Sequence, residues 1–164
     1  KNAVAIPMRS GGGGDAMEPV TIKSIQPFSS AMTLTVTDAV FYAKNTGIDG
    51  VPQAIYTPEH CDSVVHIKMT LSNAGPDAPT GVWLFCDEFT IFDTDGKAMP
   101  YMAFVDSTGL TDAVALYDQP LGIELICLAD TGREEFFMRF RDMPVLSLKK
   151  SVDQPVSSDD QPAR

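Results

Sequence analysis

The sequence predicts an all-β chain, and three of its features support this fold class. Apolar and polar residues alternate with period two in several segments, and turn-forming residues recur about every ten positions. No segment sustains helical periodicity. Hydrophobic residues make up 44% of the 164 positions, which is enough to fill one core. About eight or nine short strands joined by such turns are typical of a β-sandwich or β-barrel.

Two segments show the alternation most clearly. In residues 32–37, Met32, Leu34 and Val36 share one face, and threonines occupy the other. Residues 63–73 divide in the same way, with an apolar set of Val65, Ile67, Met69 and Leu71 and a mixed set of Val64, His66, Lys68 and Thr70. This pattern predicts a half-buried antiparallel strand with His66 on its polar face.

Residues 82–105 predict a hairpin. One strand over 82–92 places four large side chains on a single parity: Trp83, Phe85, Phe89 and Ile91. A tight turn follows at 93–97, where Gly96 is free to adopt a positive φ. Residues 98–105 then return antiparallel, with Pro100 favouring an edge position. Residues 111–117 form a strand or a single helical turn, and further strands are expected at 122–128, 135–141 and 145–149.

The two ends differ in composition from the middle. Residues 1–18 contain four consecutive glycines and predict a flexible tether, or else a cloning linker or a frayed end. Residues 19–149 form the predicted domain. Residues 150–164 are rich in serine, proline and aspartate and predict a disordered tail. The chain begins at Lys1 without methionine, which favours a processed or trimmed form.

The segment from Val64 to Met102 resembles a known family. It contains VVHIKMTLSNAGPDAP and then EFTIFDTDGKAMPYM. A strand ending in Ser-Asn, a polar connection and a Phe-x-Ile-Phe-Asp-x-Asp-Gly-Lys hairpin resemble the immunoglobulin-like domains of unknown function in Gram-positive lipoproteins and secreted proteins. The stretch Leu116–Gly122 departs from the Pro-Gly turn usual in that family.

The resemblance implies an immunoglobulin-like antiparallel β-sandwich of about seven to nine strands. It also implies an extracellular or cell-envelope location, with a lipid-attached cysteine and a low-complexity linker ahead of the domain. The family has no assigned catalytic residue, so the resemblance transfers no site to this chain.

The charge narrows the range of partners. The chain carries 22 acidic and 12 basic residues, a formal net charge of −10. Nucleic-acid binding requires clustered Lys and Arg, so this class of partner is excluded. No apolar run reaches the length of about 20 residues that a membrane span needs. The acidity gives slight support to cationic or metal partners, although a solvated acidic surface is the favoured interpretation.

His60, Cys61 and His66 are the candidate metal ligands. Imidazole and thiolate at this spacing suit zinc or copper. On an extended strand the two histidines lie about 20 Å apart, so they share a metal only if the chain turns sharply between them. A surface histidine is the favoured interpretation, and no cofactor is predicted. Asp93-Thr-Asp-Gly starts like a calcium loop, but its twelfth position is Phe104, so a hairpin turn is favoured.

No catalytic site is predicted. Nucleophilic catalysis needs a nucleophile, a base and an orienting group, yet the chain lacks Gly-x-Ser-x-Gly and has only two histidines. Neighbouring carboxylates such as Asp87 and Glu88 point to opposite faces of a strand. A non-enzymatic protein is therefore favoured.

The three cysteines allow at most one internal disulfide. Cys86 and Cys127 both fall within predicted strands and are positioned to bridge the two sheets of a sandwich, with Trp83 packed against the bridge. The alternative is a pair of buried free thiols. Cys61 would remain unpaired.

The candidate partner-binding residues are Met99, Tyr101, Met102 and Phe104, which lie on or beside a predicted edge strand. Tyr, Met and Phe are common in interfaces, and an exposed edge accepts a partner strand. The alternative is that alternate residues of this strand simply pack into the core.

Three functions follow from these features. The first is a cell-surface or secreted module that binds a protein or cell-envelope polymer through a sheet edge and loops. The second is a small extracellular metal-binding protein or enzyme that uses His60, Cys61 and His66. The third is a structural spacer in a surface assembly.

Overall fold

The computed structural model describes residues 3–11, 17–23, 31–42, 63–74, 82–99, 101–106, 109–116, 120–129 and 133–151. These residues form strands and one short 3-10 turn at Cys86–Glu88, which confirms the all-β prediction. The strands are β1 Val4–Ser10, β2 Val20–Lys23, β3 Ala31–Tyr42, β4 Ser63–Ala74, β5 Val82–Phe85, β6 Phe89–Asp93, β7 Tyr101–Asp106, β8 Gly109–Thr111, β9 Ala113–Leu116, β10 Leu121–Ala129, β11 Glu135–Phe140 and β12 Leu146–Lys150. Among the described residues, no helix has the length and apolar character needed to cross a bilayer.

Most strands belong to one curled sheet in the order β6-β11-β12-β1-β3-β4-β10-β7-β8, and β2 pairs with β3. β5 and β9 form a separate two-stranded ribbon. β1 runs parallel to both β12 and β3, whereas the other described pairings are antiparallel. The sheet is therefore mixed, which corrects the prediction of a purely antiparallel one.

β1 connects the two halves of the curled sheet. Residues 4–8 pair with β12, and Arg9 and Ser10 pair with β3. The Arg9 guanidinium donates two hydrogen bonds to the Asp38 carboxylate, Nε to Oδ1 at 3.1 Å and Nη2 to Oδ2 at 2.8 Å. Residues 4–10 were predicted to belong to a flexible tether. Instead, Ile6 and Met8 are buried in the core, so this part of the tether prediction is wrong.

One core lies between the two halves of the curled sheet. The inward residues of β3, β4 and β10 meet those of β6, β11 and β12 in a single cluster. Phe41 stacks on Phe136 with ring centroids 6.4 Å apart, and Phe89 meets Phe104 edge-on at 6.0 Å. Each pair joins a strand of one half to a strand of the other. The alternation predicted for residues 32–36 and 65–71 is confirmed, because those apolar side chains all point into this core.

The outer face of β4 is buried at its first residues, which corrects the prediction of a half-buried strand for this part. Val64 and His66 are each 4% exposed, and Val64 joins Ile126 and Leu128 in a second, smaller apolar cluster. Lys68 alone of this row is exposed.

The predicted turn at residues 93–97 is confirmed, with Gly96 at φ 82°. Asp93 Oδ1 accepts the backbone N–H groups of Asp95 and Lys97 at 2.8 and 3.0 Å, and Oδ2 pairs with Arg133 at 3.3 Å. These contacts are typical of a hairpin turn, which was the favoured interpretation of this segment. The return strand differs from the prediction: Ala98 bridges to Phe92, but β7 then leaves to pair with β8 and β10.

Candidate functional site

The four predicted partner-binding residues lie on β7 and just before it, and they differ in how exposed they are. Phe104 is fully buried in the core, so a partner cannot touch it, and Met99 and Met102 are partly buried against the same core. Tyr101 is exposed, with 40% of its surface accessible. The candidate site is corrected accordingly: of these four residues, only Tyr101 is retained.

The most exposed large apolar side chains of the described residues are Trp83 at 60% and Phe85 at 48%. The alternation in the sequence predicts one parity, and so one shared face, for these two residues and for Phe89 and Ile91. The 3-10 turn at residues 86–88 interrupts that strand, so the parity before it does not continue after it. Phe89 and Ile91 are buried, whereas Leu84 takes the inward position in β5.

Alanines lie opposite the exposed aromatic residues. In the β5–β9 ribbon, Trp83 pairs with Ala115 and Phe85 pairs with Ala113. Directly paired residues of antiparallel strands point to the same face, and a methyl group is too small to cover a ring. The inner face of the ribbon carries Leu84 and Val114, both packed against the core. The ribbon is therefore anchored on one face and presents two aromatic rings on the other.

Glu88 fixes the turn that follows Phe85. Its Oε2 accepts the Phe85 backbone N–H at 2.8 Å, and its Oε1 accepts a hydrogen bond from Arg141 Nε at 2.7 Å. The Arg141 backbone N–H also donates to the Glu88 carbonyl at 3.3 Å. Arg141 has a φ of 51°, a left-handed conformation that non-glycine residues seldom adopt. Glu88 thus holds the Phe85 backbone at the start of the turn, and Arg141 in turn holds Glu88.

Tyr101 borders the same turn. Burial raises the pKa of its phenol, and so do the nearby Asp112 carboxylate and the ionisable Cys86 thiol. Cys86 follows Phe85 directly, and its N–H donates to the Asp112 carbonyl at 2.9 Å. Trp83 and Phe85 therefore lie on β5, just before the turn, and Tyr101 lies on the strand that borders the turn. We call these three residues the aromatic surface.

Two carboxylates lie close to Cys86, the residue that follows Phe85. Asp87 and Asp112 are exposed, and the charge of each adds to burial in raising the pKa of the Cys86 thiol. Neither carboxylate has an ion-pair partner within the described part of the chain. The local charge next to the exposed rings is therefore negative.

Cys86 and Cys127 are both free thiols in the structure, so the predicted disulfide is not formed. The physical reason lies in the backbone: Cys86 begins the 3-10 turn instead of lying within a strand, and its Sγ approaches the Met102 carbonyl at 3.7 Å. Cys127 is fully buried, which strongly raises the pKa of its thiol. Trp83 is exposed and does not pack against these sulfurs.

His66 is not the surface histidine of the favoured prediction. Its Nε2 lies 3.0 Å from Glu124 Oε1, and its ring is 6.4 Å from the ring of Tyr42. Burial lowers the pKa of His66 more than the Glu124 carboxylate raises it. His60 and Cys61 lie outside the described residues. Within the described ranges no group of three or more His, Cys, Asp or Glu side chains is arranged to hold a metal.

The sequence contained a signal for the aromatic surface. Two consecutive charged residues, Asp87 and Glu88, lie between Phe85 and Phe89 and interrupt the alternation of polar and apolar residues that a strand requires. A break there separates Trp83 and Phe85 from the residues that follow. Chemically, the surface offers flat apolar rings beside carboxylates that have no ion-pair partner among the described residues, an arrangement suited to binding.

Comparison with protein families, with curated proteins and with solved structures gives no match for this chain.

Proposed function

We propose that this protein is a non-enzymatic binding module that holds a partner against its aromatic surface. The observation that supports this proposal is the exposure of Trp83, Phe85 and Tyr101 beside the same 3-10 turn. The partner is a protein or a polymer. The role agrees with the first function inferred from the sequence, but Tyr101 is the one predicted binding residue that the aromatic surface retains.

The size of the surface supports this role. A fully buried aromatic side chain removes roughly 150–250 Å² from water. At their observed exposures the three rings present on the order of 300 Å², which approaches the largest apolar patch of a typical monomer. Aromatic anchors also dominate the energetics of protein interfaces.

The fold and the location form a second part of the proposal. An immunoglobulin-like sandwich accounts for one core between two sheet halves that share β1. A secreted or cell-envelope location is supported by the resemblance of residues 64–102 to domains of that location. Protease treatment of intact source cells tests it: an external protein is digested, whereas an internal one survives until the cells are lysed.

Selection from a random peptide library displayed on phage tests the binding role. The immobilised protein should enrich peptides that bind the wild type and do not bind a variant carrying Trp83→Ala and Phe85→Ala. A matched control carries Thr21→Ala and Lys23→Ala on β2, where both side chains are exposed. This control should retain the enriched peptides. Failure to enrich any peptide, or equal binding to the aromatic variant, would contradict the proposal and leave a structural spacer.

A further inference from the structure

We infer that the partner of the aromatic surface is cationic, a protein segment whose Lys or Arg side chains lie over the rings of Trp83 and Phe85 and pair with Asp87 and Asp112. This inference rests on the proposed function and specifies the chemistry of the partner. Neutral polymers, acidic peptides and a second copy of this chain are the competing occupants.

The first argument is the geometry of the rings. Trp83 and Phe85 are two residues apart on one strand, so their attachment points are about 7 Å apart on the same face. Their cross-strand partners are alanines, which are too small to cover the rings, and the two side chains are 60% and 48% exposed. Cations are attracted to the face of an aromatic ring, most strongly to Trp, and Arg makes such contacts most often. Two adjacent open rings suit a segment with cations spaced along it.

The second argument is the charge around the rings. Asp112 precedes Ala113, the residue paired with Phe85, and Asp87 lies in the turn that follows Phe85. Both carboxylates are exposed, with no ion-pair partner among the described residues. Arg141, a basic side chain that contacts the turn, is already bound to Glu88. Within the described ranges, a cation is therefore the counter-charge that Asp87 and Asp112 lack.

The third argument is the charge of the whole chain. A formal net charge of −10 favours the approach of basic partners and opposes acidic ones. Acidic peptides would meet repulsion both at long range and at Asp87 and Asp112. A second copy of this chain would bring its own carboxylates into contact with those of the first.

A pair of synthetic peptides tests the inference. One peptide carries four arginines separated by Gly and Ser, and its control replaces each arginine with citrulline, which keeps the planar shape and removes the charge. Isothermal titration calorimetry on the full chain should show at least about tenfold weaker binding of the citrulline peptide. The affinity for the arginine peptide should also fall as salt is added.

Variants of the protein identify where the peptide binds. Phe85→Ser and Asp112→Asn should each weaken binding of the arginine peptide several-fold. Phe85→Ser also retains Trp83, the one tryptophan, so its emission reports both folding and binding. Glu134→Gln removes the same unit of charge from an exposed position on the approach to β11 and should bind as the wild type does.

Other outcomes separate the two proposals. If the citrulline peptide bound as tightly as the arginine peptide, the cationic partner would be overturned and the binding role would stand. The same conclusion would follow if an acidic peptide or a neutral β-glucan oligosaccharide bound more tightly than the arginine peptide and Phe85→Ser abolished that binding. The cationic partner would also be overturned if Glu134→Gln weakened binding of the arginine peptide as much as Asp112→Asn does. That result would indicate that the peptide is attracted by the negative charge of the whole chain. Absence of any binding that depends on Phe85 would overturn both.

Discussion

His66 is a buried imidazole on the outer face of β4, with 4% of its surface exposed. Burial disfavours its charged form, and the positive charge of Lys68 adds to this effect. The carboxylates of Glu124 and Asp38 act in the opposite direction but do not compensate, so the pKa of His66 falls below its ordinary value of 6.5. The unfolded chain consequently binds a proton more readily than the folded one.

This difference predicts a pH-dependent stability. A histidine with a lowered folded-state pKa stabilises the fold at pH above 6.5, and that contribution is lost as the pH falls below this value. Urea unfolding at pH 7.5 and at pH 5.5 measures the loss. His66→Gln cannot titrate, so we expect its stability to change less between the two pH values than that of the wild type. Equal changes in the two proteins would show that His66 makes no such contribution.

β1 is an element that composition alone conceals. The run of four glycines led to the prediction of a tether, yet Val4, Ile6 and Met8 alternate with Ala5, Pro7 and Arg9 in the pattern of a strand. The pairing partners of β1 come from opposite ends of the chain, and no local pattern identifies such partners. The existence of this strand could thus be predicted, whereas its parallel pairing with β12 and β3 could not.

Removal of a buried side chain from β1 tests its place in the sheet. Ile6 is 1% exposed, so we expect Ile6→Ala to lower the free energy of unfolding by about 2–5 kcal/mol. The matched control is Ala5→Ser, an exposed position of the same strand, which should change stability by less than about 0.5 kcal/mol. If both variants unfolded at the wild-type urea concentration, residues 4–10 would be a tether after all.

The turn at residues 93–97, which follows β6, allows the effect of backbone strain on stability to be measured separately from side-chain packing. Gly96 has φ 82°, and a methyl group added there would meet no atom within 4 Å. We therefore expect Gly96→Ala to destabilise the protein by about 1 kcal/mol through backbone strain alone. Gly122 has equal space and an ordinary φ, so Gly122→Ala should be neutral or slightly stabilising. Thermal unfolding of the two variants makes the comparison, and a neutral Gly96→Ala would refute the strained turn.

At the scale of the whole molecule, the single core makes the two sheet halves interdependent. Phe136 contacts Phe41 across the core, so Phe136→Ala should cost about 3–5 kcal/mol. Calorimetry should show one transition for the wild type and the variant, with the calorimetric and van't Hoff enthalpies equal. Two transitions, of which Phe136→Ala shifts only one, would indicate halves that fold independently.

The fold class and the strands with clean alternation could be predicted from the sequence, because inward apolar side chains follow the strand period. The exposure of Trp83 and Phe85 was not predicted, because alternation fixes the face of a residue only while the strand continues, and three residues of 3-10 turn end this strand. The burial of His66 was not predicted either, because it depends on neighbours that are distant in sequence. Alternation identifies strands more reliably than it identifies the face that remains exposed.

The central claim is that the aromatic surface is open to water in the free protein. Trp83 is the single tryptophan, and its fluorescence reports this directly. With 60% of its surface exposed, Trp83 should emit like indole in water, be quenched fully by acrylamide and shift little when urea unfolds the chain. Emission at shorter wavelength that resists acrylamide and moves to longer wavelength on unfolding would show a buried indole and contradict the account.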